Sequence, residues 1–172
     1  MPTAATHTHR ATHKPAAKHD AIALLKADHR EVASMIGDFL RSDATQAKKL
    51  ALVRKICKAL EVHTQIEEEI FYPAAREALN AKGEPLLDEA EVEHTSIKEI
   101  VASLSSENPD ARLFDAQVKV LGEYVRHHVK EEETKLFPRV RRAHADLKEL
   151  GSEMAERKAE LMDSRTAIEV AS

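Results

Sequence analysis

The stretch HTQIEEEIFYP, from His63 to Pro73, puts a histidine, three glutamates and two aromatics on about three turns of chain. Alone it reads as an acidic helix face ending in a proline. It does not stand alone, because HHVKEEETKLFP runs from His127 to Pro138. His63, Glu67 and Pro73 align with His128, Glu132 and Pro138, each pair 65 positions apart (63 to 128, 67 to 132, 73 to 138). The same shift lays DHREV (28–32) on EHTSI (93–97) and so places His29 over His94. Apolar positions follow it too: Ile22 over Leu87, Ile56 over Leu121, Phe39 over Leu104. The chain reads as a duplicated helical hairpin. In each half the first helix carries one histidine and the second a His-x-x-x-Glu pair.

Residues four apart on a helix share a face, one turn from each other. His63 can therefore act with Glu67, and His128 with Glu132. His29 and His94 continue the apolar stripes of the first and third helices and point inward with them. Burying four imidazoles and two carboxylates unpaired costs several kcal/mol per charge. Divalent cations remove that cost. With two carboxylates free to bridge, two metal ions, each held by two histidines, satisfy the whole set. A single His-x-x-x-Glu pair would be a surface contact worth a few tenths of a kcal/mol; two pairs in register with two further histidines read as a metal site.

Several neighbours compete for roles. His127 and Glu131 share the four-residue spacing but lie about 100° further round the helix. The repeat favours His128, since His127 aligns with Val62 and Glu131 with Ile66. Tyr124, one turn before His128, is a further candidate ligand or a core tyrosine with a hydrogen-bond partner, and its counterpart is Ala59. Glu68, Glu69 and Glu133 are expected to face solvent, with the option of orienting a ligating histidine. Glu91 and His94 form an isolated Glu-x-x-His, and a ferritin-like site needs two. No residue reads as a dedicated general acid or base. Cys57 reads as a small buried apolar side chain.

The rest of the chain supports an all-α fold. Four glycines and few aromatics argue against sheets, while Ala, Leu, Glu, Lys and Arg favour long helices. A polar tail over 1–19, with His7, His9, His13 and His19, precedes a bundle over 20–142 and a helical extension over 143–172. Asp20 caps a first helix with Ile22, Leu25, His29, Val32, Ile36 and Phe39 inside, ending near Arg41. Asp43 and Gln46 suggest a capping box for the second, with Leu52, Ile56, Ala59 and His63 inward and a bend at Pro73. Gly83 breaks it and Pro85 opens the third helix, lined by Leu87, Ala90, His94, Ile97, Val101 and Leu104. Asn108 and Pro109 start the fourth, lined by Leu113, Ala116, Val120, Leu121, Val125 and His128, with a bend at Pro138. Leu147, Leu150, Met154 and Leu161 form a narrow stripe on a fifth. The expectation is an up-down-up-down four-helix bundle with an extra C-terminal helix, that helix being a candidate interface.

A net charge of −4 gives no reason to expect nucleic acid as a partner. No apolar run approaches the length of a membrane span. One cysteine excludes an internal disulfide, and the N-terminus has no apolar centre of the secretory kind, so a cytoplasmic protein is expected.

His29, His63-x-x-x-Glu67, His94, His128-x-x-x-Glu132 and the two proline endings resemble the hemerythrin family, in particular the bacterial domains named for a His-His-Glu cation-binding motif. The resemblance spans about 20–142. It implies a non-haem di-iron centre, oxo- or hydroxo-bridged, with Glu67 and Glu132 as bridging carboxylates and dioxygen, peroxide or nitric oxide as the small ligand. Imidazole and carboxylate by themselves also suit manganese, zinc or cobalt. In one respect the chain departs from the oxygen carriers: Lys98 stands where they have a fifth histidine. That favours redox chemistry, catalase-like or oxidase, or an oxygen-, nitric-oxide- or iron-sensing module, over reversible oxygen carriage. Because histidine must be neutral to bind, metal release is expected below about pH 6.

Overall fold

The structure, a computed structural model, describes residues 20–106, 112–143 and 145–170, with backbone alone from 164. The histidines of the tail over 1–19, and Asn108 with Pro109, lie outside the described residues. The described part is helical: α1 (Ala21–Leu40), α2 (Gln46–Ile66), α3 (Tyr72–Leu79), α4 (Glu84–Ser106), α5 (Phe114–Glu131), α6 (Phe137–Arg142) and α7 (Leu147–Val170). Two π-helical turns, Glu67–Phe71 and Glu132–Leu136, join α2 to α3 and α5 to α6 as continuous rods. α1 packs on α2 and α5, and α4 on the same two, closing a four-helix ring. α7 lies outside it, against α1, α2 and the first π turn.

Asp20 caps α1 by accepting from the N–H groups of Ile22 (2.9 Å) and Ala23 (3.3 Å). The capping box expected at Asp43 does not form. Thr45 is the N-cap residue of α2, without a side-chain bond, so Gln46 is the first helical residue and cannot reach back as a third-position glutamine would. Gly83 is not the chain breaker either, its φ being −91°. The reversal falls on Asn80, at φ 53° and ψ −156°, a strained conformation for a residue with a side chain. Gly83 is needed for space: a Cβ there would lie 2.5 Å from that of Leu79. The proline bends resolve into the π turns. Proline has no N–H to return to the carbonyl four residues back, and widening the preceding turn accommodates the loss.

The inner stripes of α1 and α4 are those expected. On α2 the stripe is rotated, burying Val53 and Leu60 with Ile56 and His63, while Leu52 and Ala59 are half-buried. On α5 it runs Phe114, Val118, Leu121, Val125, His128; Leu113, Ala116 and Val120 are exposed, a correction caused by the adjacent apolar pair Leu113 and Phe114. Two apolar clusters fill the bundle. One, around Phe71, Leu136 and Phe137, takes in Met154 and Leu161 of α7. The other lies around Ile56, Ile97 and Phe114. A polar layer is held between them.

Candidate metal centre

The six inward side chains named by the repeat converge in that layer. His29, His63, His94, His128, Glu67 and Glu132 are all buried, none more than 4% exposed. Each imidazole turns Nε2 to the centre: that of His63 lies 3.2 Å from Glu67 Oε2, that of His94 3.3 Å from the same oxygen, and that of His29 3.3 Å from Glu132 Oε2. His128 Nε2 is 3.6 Å from Glu132 Oε2 and 3.1 Å from His94 Nε2. Ligand atoms of His29, His63, Glu67 and Glu132 lie within 4.8 Å of one another, as do those of Glu67, His94 and His128. Glu67 belongs to both groups and can bridge them.

Behind the imidazoles stands a ring of carboxylates that obeys the same 65-residue shift. Glu133 Oε1 lies 3.0 Å from His29 Nδ1, and Glu68 Oε1 2.9 Å from His94 Nδ1. Glu93 Oε2 lies 2.9 Å from His128 Nδ1, and Asp28 Oδ2 3.7 Å from His63 Nδ1. Where such a carboxylate accepts from the Nδ1–H, as at His94 and His128, Nε2 is left toward the centre. The Nε2 atoms of His94 and His128 face each other at 3.1 Å. Both oxygens of Glu67 are buried without a hydrogen-bond partner. Native interiors rarely leave such groups unsatisfied. The donor set suits divalent transition metals, and the orphaned atoms lie where cations would satisfy them.

The π turns complete the layer. Each carries the ladder through an i to i+5 step, Tyr72 N–H to Glu67 C=O and Phe137 N–H to Glu132 C=O. Both aromatic side chains are buried against the layer. Tyr72 stacks on His94 (5.3 Å between centroids) as Phe137 stacks on His29 (5.8 Å). The halves differ in one hydroxyl: Tyr72 Oη donates to Glu132 Oε1 at 3.0 Å and lies 3.1 Å from His94 Nε2.

The electrostatics divide the layer. Burial works against charge on His29, but the carboxylates of Glu132, Glu67 and Glu133 outweigh it and raise its pKa to about 9. Burial lowers His63 to about 4, aided by the His29 charge. Glu132 stays near 2 despite burial, because His29, His128 and His63 favour the anion. Glu67 is driven well above the carboxylate range by burial and by Glu132. Burial, with Glu67 and Glu132, also holds Tyr72 as a neutral phenol.

Other expectations sort clearly. His127 is exposed, its Nε2 3.3 Å from Glu93, whereas His128 is buried in the layer. Tyr124 is 45% exposed and stands outside the layer, which corrects its candidacy as ligand or core residue; it lies about 100° round α5 from the inward Val125. The tyrosine at the centre is Tyr72. Glu68 and Glu133 do not simply face solvent, since each backs a histidine. Glu69 instead binds Arg157 of α7. Lys98, at the site of the missing fifth histidine, holds both oxygens of Glu68 at 2.5 Å. Asp28 and Glu93 went unnoticed in the sequence although the repeat pairs them.

These features define a histidine- and carboxylate-lined cation site inside a helical bundle. The chain belongs to the hemerythrin HHE cation-binding family, whose domain model matches residues 20–140. Its fold is similar to the crystal structure of a hemerythrin HHE cation binding domain-containing protein from Mycobacterium kansasii, with a TM-score of 0.71 and 23% identity, covering 85% of this chain and 89% of that one. It is also 29% identical over 118 residues to a protein named DNA nickase from Nostoc sp., covering 69% of this chain and 32% of that protein. The chain thus spans about a third of that relative's length. No described helix is long and apolar enough to cross a membrane.

Proposed function

We propose that residues 20–142 hold two metal ions, iron in preference, and turn over a small oxidant, with hydrogen peroxide the substrate that best fits the site. The observation that carries this is the pair of facing Nε2 atoms of His94 and His128 beside a Glu67 carboxyl with no partner. His29 and His63 would hold one ion, His94 and His128 the other, with Glu67 and Glu132 between. The bound metals would supply electron exchange with the oxidant. The chain supplies the rest: two apolar clusters that limit water, outer carboxylates that fix the imidazole tautomers, and a proton.

That proton is on Tyr72. Its hydroxyl reaches Glu132 and His94 from inside the layer, and burial keeps it protonated. It fills the general-acid role for which no residue stood out in the sequence, and it strengthens an enzyme over a passive binder. The test is iron per chain and optical spectrum of purified protein, followed by hydrogen peroxide. Two irons per chain and sustained oxygen evolution are expected. A stoichiometric, stable adduct would instead make the chain a binder or sensor of dioxygen or nitric oxide, and metal-free protein that takes up no iron would refute the site.

A further inference from the structure

We propose that Lys158, on the appended helix α7, is a positioning residue for the metal centre: acting through Asp28 it sets His63, so that α7 is a working part of the metal position formed with His29. The inference rests on the metal-site reading above and adds to it an element from outside the duplicated hairpins.

Its first support is a break in the symmetry of the outer carboxylates. Three of them stand 2.9–3.0 Å from their Nδ1 atoms, whereas Asp28 stands 3.7 Å from that of His63, too long for a hydrogen bond. Asp28 is one methylene shorter than its counterpart Glu93. Neither nitrogen of His63 has a hydrogen-bond partner. His63 is therefore the least restrained of the four histidines, and it depends most on where Asp28 is held.

The second support is what holds it. Every outer carboxylate has a base against it. Lys26 is 3.0 Å from Glu133, Lys98 2.5 Å from Glu68 and His127 3.3 Å from Glu93. Those three sit on α1, α4 and α5. Lys158 comes from α7 and donates to Asp28 Oδ1 at 2.5 Å, leaving Oδ2 toward His63. Asp28 is 7% exposed with Lys158 against it, so the ammonium stands between its carboxylate and solvent. α7 has other anchors: Arg157 binds Glu69 at 2.7 and 3.2 Å, Met154 is fully buried, and Lys58 donates to the Met162 carbonyl at 3.1 Å. Removing the Lys158 charge therefore leaves the helix docked while freeing Asp28. His63 then loses the acceptor nearest its Nδ1–H, and the tautomer with its proton on Nε2, facing the metal, competes. Losing such a ligand-orienting partner weakens metal binding by about 10- to 100-fold. The position formed by His94 and His128 is spared, because Glu68 and Glu93 do not touch α7 through any of these contacts.

The experiment titrates the full-length chain with zinc, which is redox-silent, against a competing chelator, for wild type, Lys158→Met, Lys158→Arg and Arg157→Ala. The expected result is that Lys158→Met weakens one of two zinc equivalents by about 10- to 100-fold and leaves the other unchanged, while Lys158→Arg restores it. Arg157→Ala should lower the melting temperature comparably without altering either equivalent. In the metal-free protein the 15N shift of His63 Nδ1 should move in Lys158→Met and not in Arg157→Ala. Wild-type affinity for both equivalents in Lys158→Met, or the same weakening in Arg157→Ala, would overturn the proposal and leave Lys158 a clamp on α7. A wild-type chain that binds no zinc or iron at all would instead refute the metal site itself.

Discussion

Tyr72 and Phe137 occupy equivalent places in two copies of one hairpin, and only one of them can hold a proton. Tyr72→Phe makes the halves alike, and the volume is nearly conserved. We expect full metal content and peroxide turnover slowed by about 100-fold, the usual scale for a lost general acid. An unchanged rate in the metal-replete variant would take the proton-donor role away from Tyr72. The histidine register is testable at the same scale. His128→Ala should lose one or both metals, since His128 lies in the buried layer, and His127→Ala should keep both, since its ring is exposed. Metal analysis giving the reverse order would refute the assignment. The six inward residues were legible because a shift of 65 superposes them, and Tyr72 was not. At α-helical spacing, five residues beyond Glu67 point about 140° away from it. The π turn narrows that offset, and nothing in the residue types of EEEIF announces one.

At the level of elements, α1 and α4 were readable because their apolar positions admit one helical phase. α5 was misphased because Leu113, Phe114, Val118 and Val120 allow two, and only packing against α1 and α4 chooses between them. That packing is close. A Cβ on Gly122 of α5 would lie 2.8 Å from Ile36 Cγ2 on α1, within the apolar contact of the two helices. Gly122→Ala should cost about 1–3 kcal/mol from the clash, less the roughly 0.5–1 kcal/mol that helix propensity returns. Gly37 on α1 is the control. There the atoms nearest a Cβ belong to the Arg41 guanidinium, 3.1 Å away on an exposed side chain that can swing aside. Gly37→Ala should stabilise by about 0.5–1 kcal/mol through helix propensity alone. Urea unfolding of the two variants checks both signs. Equal effects would mean that the α1–α5 contact is looser than described.

For the molecule as a whole, the linked variables are protons and metal. Without metal the layer carries a proton on His29, whose pKa of about 9 lies above the ordinary 6.5, and an ionised Glu132 near 2, below the ordinary 4.5. Stability from His29 is therefore complete below pH 6.5 and lost as pH rises through about 9; that from Glu132 is complete above 4.5 and lost as pH falls through about 2. A metal ion needs the opposite state at His29, and it needs Glu67, raised well above the carboxylate range, ionised. Binding at neutral pH must expel those protons. Affinity should climb by about tenfold per pH unit for each proton released, continuing toward the His29 value of about 9. The acid release foreseen from histidine chemistry thus becomes one end of a slope that spans neutrality. Calorimetric titration of zinc at pH 7.5, in buffers of different ionisation enthalpy, counts the protons. At least one per chain is expected. A count of zero, with affinity flat above pH 7, would show that His29 is already neutral and that the carboxylates around it do not hold its proton.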